Sequence, residues 1–295
     1  MGYNCVVLVK QVPDTKRITG QAMNEDGTVN RAALPAIFNP EDLNALELAL
    51  QIKDQYGGTV TVMTMGLPAA ADVLREGLYR GADRAVLITD RRCAASDTLA
   101  TSYILSCGVK MLHPDIVLCG RQAIDGDTAQ VGPQVAEKLN LPQITYVEAL
   151  LSLDGKTIVA KRNLGNGWQE VKSRLPVLLT VIDAANEPRV PRAKQLMKYK
   201  WAKCRIEVEA AAQSNPSVDV EAVCRDLQTR GLLIDQWDLD YLKADLQWCG
   251  RDGSPTKVHR IQSVVLSAKE SKTIEPTQSG IDAMIHELIV DHTIG

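Results

Sequence analysis

The amino-acid sequence predicts a doubly wound α/β fold, with a mainly parallel sheet, an antiparallel hairpin insertion and an extended C-terminal arm. Short β-branched runs alternate with helical patterns through the first half of the chain. The first run, residues 5–9, is continuously apolar, as expected for a strand buried on both faces. Near residue 150 the pattern changes, and Asp154-Gly155 and Asn166-Gly167 indicate hairpin turns.

The predicted elements follow one another in strand and helix order. Asn39 opens the first helix as a cap residue, with Pro40 at the first position and acids beside the positive end of the helix dipole. Gly81 ends the second helix, and Asp97 opens the third. The other predicted segments are strands at 60–63, 85–88, 116–119, 143–149 and 175–182, with helices at 69–80 and 97–111.

After Asp183 the sequence no longer shows the alternation of strand-like and helical segments that is typical of a globular α/β domain. Residues 189–205 hold seven basic residues and no acid, and amphipathic helices are expected around residues 218–230, 239–247 and 281–290. An arm this long without a core of its own is expected to lie on another subunit. The basic stretch could contact a nucleic acid, a membrane surface or a protein, and its lack of a clean amphipathic period favours a protein.

Composition narrows the classes of function. The chain has 295 residues, 45% of them hydrophobic, and a formal net charge of −3. A near-neutral charge removes the electrostatic attraction on which nucleic-acid binding depends, and no apolar run approaches the roughly 20 residues that span a bilayer. The seven cysteines and four histidines show no metal-ligand spacing. We therefore expect a cytoplasmic protein with reduced thiols and no metal, nucleic-acid or membrane partner.

The most informative stretch is the turn at residues 120–132, Gly-Arg-Gln-Ala-Ile-Asp-Gly-Asp-Thr-Ala-Gln-Val-Gly. An apolar strand leads into this turn and a helical pattern follows it. A strand that stops at glycine near a helix start exposes backbone N–H groups, which can bind a phosphate or a ribose. The turn matches neither the Walker pattern nor the Gly-x-Gly-x-x-Gly fingerprint, so a nucleotide would be held in another way.

Several other segments are expected beside this turn. Ligands of doubly wound sheets bind beyond the carboxyl ends of the strands, where the crossover direction switches. Residues 9–11, 39–40, 65–68 and 96–102 should reach that edge together with the turn. Their convergence favours a nucleotide site. No catalytic motif accompanies it, so any electron transfer here would depend on a bound cofactor.

Each of these segments also has a simpler interpretation. Asn39 could be an ordinary helix cap, and Gly66 could serve only a tight turn. Asp125 and Asp127 could be solvated acids that brace the loop. Lys10 could be a surface charge at the end of a strand.

At these residues the chain resembles the β subunit of electron-transfer flavoproteins. The resemblance implies a heterodimer with an α subunit and an adenine nucleotide bound at the edge of the sheet. The matching motifs run nearly end to end, namely Val9-Lys10-Gln11-Val12-Pro13, Asn39-Pro40, Ala45-Leu46-Glu47, Met65-Gly66 with Pro68, Gly81-Ala82-Asp83, Asp97-Thr98-Leu99-Ala100-Thr101-Ser102, residues 120–132, Leu141-Pro142-Gln143, Asn186-Glu187-Pro188-Arg189 and Gly253-Ser254-Pro255-Thr256.

Two branches of that family differ in the nucleotide. Simple members bind AMP as a structural ligand. In electron-bifurcating members a second FAD accepts a hydride from NADH, then sends one electron toward the α-subunit FAD and one toward a low-potential acceptor, ferredoxin or flavodoxin. Residues 96–103 and 125–133 look more like the bifurcating branch, and Gly126 and Ala129 are small where a flavin needs room. Both small residues could instead serve turn geometry and packing.

The resemblance therefore implies an FAD-binding, NADH-oxidising β subunit that acts with an acyl-CoA dehydrogenase or a similar flavin dehydrogenase. An AMP-binding β subunit is the first alternative, and a nucleotide-sensing module is an alternative of another class. The adenine and ribose are expected near Leu8, Asn39, Pro40, Met65 and the residues from Ala123 onward. The pyrophosphate and ribityl chain are expected near residues 97–101 and 127–131. The expected cofactor-binding residues are Leu8, Lys10, Asn39, Pro40, Met65, Gly66, Asp97, Thr98, Leu99, Ala100, Thr101, Gln122, Ala123, Asp125, Gly126, Asp127, Thr128, Ala129, Gln130 and Val131.

The resemblance also implies two regions. Residues 1–185 are expected to form a nucleotide-binding α/β domain, and residues 186–295 an arm with a recognition loop and subunit-clasping helices. The family's recognition loop, which docks on acyl-CoA dehydrogenases, falls at residues 187–198. There the usual Leu-Pro pair aligns with Ala193-Lys194, which leaves the identity of the dehydrogenase open.

Overall fold

A computed structural model describes residues 2–14, 34–215, 217–257 and 273–290. Within these ranges, the strands are β1 Tyr3–Leu8, β2 Gln11–Pro13, β3 Ala36–Phe38, β4 Gly58–Met65, β5 Arg84–Ile88, β6 Ile116–Gly120, β7 Gln143–Asp154, β8 Thr157–Asn163, β9 Trp168–Arg174, β10 Val177–Val181 and β11 Asp235–Trp237. The α-helices are α1 Pro40–Tyr56, α2 Ala71–Arg80, α3 Thr98–Leu112, α4 Val131–Lys138, α5 Ala193–Tyr199, α6 Arg205–Ser214, α7 Val220–Thr229 and α8 Gln278–Val290.

The main sheet has nine strands in the order β11-β5-β4-β1-β6-β10-β7-β8-β9. Every pair from β11 to β7 is parallel, whereas β8 and β9 extend the sheet as antiparallel strands. The predicted doubly wound sheet with an antiparallel hairpin is therefore confirmed. From β1 the chain winds to β4 and β5 on one side and then crosses to β6 on the other, so the winding direction switches at β1.

Residues 5–8 of β1 are all apolar because both faces of the strand are covered there. Cys5 and Val7 belong to the hydrophobic cluster that includes residues of α1 and α2. Val6 and Leu8 belong to the cluster on the opposite face, which includes residues of α3 and α4. Successive side chains of a strand point to opposite faces, so both layers of helices pack on this one strand.

The C-terminal arm contributes to the sheet domain. Strand β11 pairs in parallel with β5, where Gln236 lies opposite Leu87. Ala202 and Ile234 join the cluster under α1 and α2, and Trp237 joins the cluster under α3 and α4. The expectation that this part of the arm lies on another subunit is therefore wrong. Three residues are too few for the alternating pattern by which a strand is identified from sequence.

The arm also has a small core, which the sequence analysis did not expect. Four buried residues from α6, α7 and the turn that follows α7 form a separate cluster, Val208, Cys224, Leu227 and Leu232. Helix α7 confirms the helix predicted around residues 218–230. Helix α8 confirms the one predicted at residues 281–290 and has no buried residue.

The prediction of a helix at residues 239–247 is wrong. This segment forms turns, followed by a single 3₁₀ turn at Leu246–Trp248. The side chain of Asp238 accepts a hydrogen bond from the backbone N–H of Tyr241, and Asp245 accepts one from Gln247. Such local side-chain bonds offer the backbone an alternative to the helix, which explains why an amphipathic pattern did not produce one.

Asp42, in the first turn of α1, joins the ends of β1 and β6. Its Oδ2 accepts a hydrogen bond of 2.8 Å from the backbone N–H of Lys10, and its Oδ1 accepts one of 2.8 Å from Gly120. A Cβ on Gly120 would lie 2.6 Å from this Oδ1, so the close approach requires glycine. Burial raises the pKa of Asp42 to about 7, although the two N–H donors act to lower it.

We predict that Asp42→Asn destabilises the fold in a pH-dependent way. The amide nitrogen would face a backbone N–H, at a cost of about 1–3 kcal/mol. Because the pKa of Asp42 is raised in the folded state, its contribution to stability is fully present below about pH 4 and is lost as the pH rises through about 7. The difference in free energy of unfolding should therefore be larger near pH 5 than near pH 8, as measured by urea denaturation. The exposed Asp226→Asn is the control, and a pH-independent difference for Asp42→Asn would contradict the assignment.

Two tryptophans test whether the arm belongs to the sheet domain. Trp237 is 5% exposed and Trp248 is 50% exposed. We predict that Trp237→Ala lowers the free energy of unfolding by about 3–5 kcal/mol, because it leaves a cavity in the core. Trp248→Ala, the matched control, should change it by about 0.5 kcal/mol or less. A loss for Trp237→Ala as small as that expected for the control would show that β11 is not part of the cooperative domain.

Candidate functional site

A cavity of about 720 Å³ opens at the carboxyl ends of β1, β4 and β6. Leu8 lines it from β1, Met63 and Met65 from β4, and Cys119 from β6. The turn at residues 120–132 forms a further wall. This is the edge where the winding direction switches, and it is the place where ligands of doubly wound sheets bind.

The structure places most of the expected cofactor-binding residues in the wall of this cavity. They are Leu8, Lys10, Met65, Asp97, Thr98, Thr101, Gln122, Ala123, Asp125, Gly126, Asp127, Thr128, Ala129, Gln130 and Val131. The expected residues outside that wall are Asn39, Pro40, Gly66, Leu99 and Ala100.

Asn39 supports the turn from behind. Its side chain is completely buried and makes no cap bond to α1. The amide nitrogen donates to the carbonyl oxygen of Gln122 at 2.9 Å, and the amide oxygen accepts from the N–H of Ile124 at 3.1 Å. The interpretation of Asn39 as an ordinary cap is therefore wrong, because its hydrogen bonds hold a segment more than eighty residues away.

The turn offers free backbone donors in a conformation suited to an anion. Asp127 and Ala129 have φ values of +47° and +53°, in the left-handed region that non-glycine residues rarely adopt. No acceptor among the described residues binds the backbone N–H groups of Thr128, Ala129 and Gln130. Gln130 returns to the right-handed region just before α4 begins. A left-handed residue followed by a right-handed one turns successive N–H groups into a concave anion-binding site.

The start of α3 meets this turn. Asp97 caps α3, since its Oδ1 accepts from the N–H of Ala100 at 2.9 Å. The Thr98 hydroxyl donates to Oε1 of Gln130 at 2.8 Å, which links the beginnings of α3 and α4. Burial acts to raise the pKa of the Asp97 carboxyl, but its N–H donors hold that pKa below its usual range. The positive ends of two helix dipoles therefore converge on the cavity.

The cations in the cavity wall are paired with acids. Lys10 Nζ lies 2.7 Å from Oδ1 of Asp125, and a nitrogen of Arg121 lies 2.8 Å from Oε1 of Glu41. Lys10 is exposed just after β1, as its simpler interpretation predicts, and its charge is paired with Asp125. Asp127 accepts a bond of 3.2 Å from the Gln122 amide and so braces the turn, as its simpler interpretation predicts. Anion binding here would depend mainly on backbone donors.

Sequence reasoning missed several residues of the wall. Asp42 escaped notice because an acid in the first turn of a helix is usual. Ala95 has a φ of +58°, which the sequence does not reveal. The wall residues that lie outside every segment expected at this edge are Asp42, Met63, Thr64, Cys93, Ala95, Leu105 and Cys119.

Three further observations concern the described residues as a whole. All seven cysteines lie within the described ranges and are free thiols. In the same ranges, no three His, Cys, Asp or Glu side chains lie close enough to hold a metal ion together. Of the helices placed there, none has the length and apolar character needed to cross a membrane.

Comparison with known proteins identifies the family. Residues 26–214 match the electron transfer flavoprotein domain. The chain is 38% identical to an electron transfer flavoprotein subunit beta of Clostridium acetobutylicum, over 99% of this chain and 100% of that protein. It is 48% identical to one of Thermoanaerobacterium thermosaccharolyticum, over 86% of each chain. Identity to the caffeyl-CoA reductase-Etf complex subunit CarD of Acetobacterium woodii is 49%, over 62% of this chain and 70% of that protein. The chain therefore belongs to the electron transfer flavoprotein family, among its β subunits.

Proposed function

We propose that this chain binds FAD in the cavity and oxidises NADH as a bifurcating β subunit. One electron would pass toward the FAD of an α subunit and an acyl-CoA dehydrogenase or similar flavin dehydrogenase, the other toward ferredoxin or flavodoxin. The observation that supports this most is the meeting of free N–H groups at residues 128–130 with the start of α3. We place the complex in the cytoplasm, as the sequence predicts.

The cavity suits an adenine nucleotide that carries a diphosphate. Two helix starts and three free N–H groups can receive negatively charged oxygens without a free lysine or arginine. Leu8 and Met65 provide an apolar, polarisable surface on which a flat aromatic base can pack. Pockets for such cofactors are mostly apolar, with few polar groups that fix the orientation.

Gly126 supports FAD over AMP. A Cβ built on Gly126 would meet no atom within 4 Å, and its φ is not in the left-handed region. Neither packing nor backbone conformation explains a glycine there, whereas the space beside it suits a ligand that extends beyond AMP. Ala129 supports FAD less, because its left-handed backbone already favours a small residue.

The chain's own residues bind and orient the cofactor. Residues 128–130 and the start of α3 would hold the phosphates, and Met65 of β4 would exclude water from the base. When FAD is bound, its isoalloxazine ring supplies the hydride and electron chemistry. We assign no catalytic side chain to this subunit.

Two parts of the arm are proposed as contact surfaces. Residues 187–198, which include most of α5, would form the recognition loop. Val190 and Met197 within it are exposed, as is Trp201 just after it. Helix α8 has no buried residue and exposes Ile281 and Ile285. We propose that α8 clasps the α subunit, since an exposed apolar stripe on a helix suits a protein partner.

Cofactor analysis of the purified heterodimer tests the proposed function. We predict two FAD per heterodimer, because the cavity of this chain adds one to the FAD of the α subunit. Denaturation followed by chromatography of the released nucleotides gives the count. One FAD and one AMP per heterodimer would instead identify an AMP-type carrier, and a colourless protein that binds ATP alone would indicate a nucleotide sensor.

Two aspartates test the position of the site. Asp127→Ala removes the bond to Gln122 and leaves an alanine in the left-handed region, so we predict about tenfold weaker retention of the cofactor. The control Asp154→Ala lies in the β7–β8 hairpin turn, where Asp154 accepts a bond from Thr157, and it should retain the cofactor as the native chain does. The ratio of nucleotide to protein after gel filtration measures retention. Equal ratios for the two variants would contradict the site.

A further inference from the structure

We infer that Ser254, in the C-terminal arm, is a positioning residue for the diphosphate of the bound nucleotide and acts through Asp97. This inference rests on the proposed function, because it specifies which part of the nucleotide depends on the arm. The sequence motif Gly253-Ser254-Pro255-Thr256 lies outside the cavity wall, so direct contact with the ligand does not account for it.

The arm makes two hydrogen bonds to Asp97. The backbone N–H of Asp97 donates to the Ser254 hydroxyl at 2.9 Å, and the backbone N–H of Thr256 donates to Oδ2 of Asp97 at 3.0 Å. The remaining oxygen, Oδ1, caps α3 through Ala100. Asp97 therefore makes two hydrogen bonds with the arm, and it accepts two more, from the N–H groups of Ala100 and Thr101, in the first turn of α3.

Ser254 is itself held tightly. It is 3% exposed, and its hydroxyl donates to the carbonyl oxygen of Gly250 at 2.7 Å. The hydroxyl therefore donates to the arm and accepts from Asp97, so both of its roles are used. Replacement by alanine would leave the N–H of Asp97 without this acceptor.

The loop around Ser254 has little freedom to shift. Gly250 has a φ of +62°, and a Cβ on it would lie 2.1 Å from the carbonyl oxygen of Arg92. A Cβ on Gly253 would lie 2.2 Å from the carbonyl carbon of Trp248. The backbone at Gly250 therefore lies directly against the segment that leads to Cys93 and Ala95 in the cavity wall. This packing makes the loop a fixed support for Asp97.

Loosening Asp97 is expected to weaken mainly the binding of the ligand's phosphates. Thr98 follows Asp97 directly, lines the cavity and bonds to Gln130 at the start of α4. A loosened Asp97 would shift the helix start that meets the diphosphate, while the apolar wall from β1 and β4 would stay in place. The loss of affinity should therefore grow with the number of phosphates on the ligand.

Binding of adenosine, AMP and ADP to the full chain, stripped of nucleotide, tests the inference by equilibrium dialysis. For Ser254→Ala we expect about tenfold weaker binding of ADP, a smaller loss for AMP and no more than about a twofold change for adenosine. Ser217→Ala, an exposed serine on the same arm, is the control and should bind all three ligands like the native chain.

A second pair of variants avoids the buried position. Thr256 is exposed; Thr256→Pro removes its backbone N–H, whereas Thr256→Ala keeps it. We expect the proline variant to lose ADP affinity selectively and the alanine variant to lose less.

The outcomes separate this inference from the proposed function. Native ADP affinity in both Ser254→Ala and Thr256→Pro, or an equal loss for adenosine and ADP, would overturn the positioning role alone. A native chain that binds neither AMP nor ADP would overturn the proposed function and this inference together.

Discussion

The site depends on one buried carboxylate. The ends of β1 and β6 leave N–H groups at the edge of the sheet, and a buried N–H without an acceptor is costly. Asp42 accepts from both Lys10 and Gly120 and so fixes where the chain departs from each strand. The two strands lie side by side where the winding direction switches. The gap into which a ligand fits is therefore set by a residue of α1, not by the sheet alone.

The residues at the start of α1 also hold the turn at residues 120–132 in place by hydrogen bonds to its backbone. Asn39 binds the backbone of Gln122 and Ile124, Glu41 accepts from the N–H of Gln122 at 3.0 Å, and Asp42 accepts from the N–H of Gly120. The helix start thus serves as a template for a segment distant in sequence. The polar residues at a helix start usually satisfy that helix's own donors, but here the donors belong to another segment.

Structure that depends on contacts between neighbouring residues could be predicted from the sequence, whereas structure that depends on contacts between distant residues could not. Local patterns were enough for the parallel strands and for the Asp97 cap, because periodicity and capping involve neighbouring residues. The position of the cavity at this edge of the sheet could be expected from a topological rule. The role of Asn39 could not be predicted, since its partners lie far along the chain. Strand β11 is too short for a pattern, and the aspartate turns that replace a helix near residue 240 depend on side-chain rotamers.

The hydrogen bonds from neighbouring helices also explain how the turn at residues 120–132 tolerates its left-handed residues. Left-handed backbone at Asp127 and Ala129 is unfavourable, and such conformations persist where surrounding contacts over-determine them. Here the contacts come from α1 on one side and, through Gln130 and Thr98, from α3 on the other. Helix α3 is in turn held at Asp97 by the arm. A site built from backbone donors has no flexible side chain to correct a misplaced wall, so its affinity must depend on these supports.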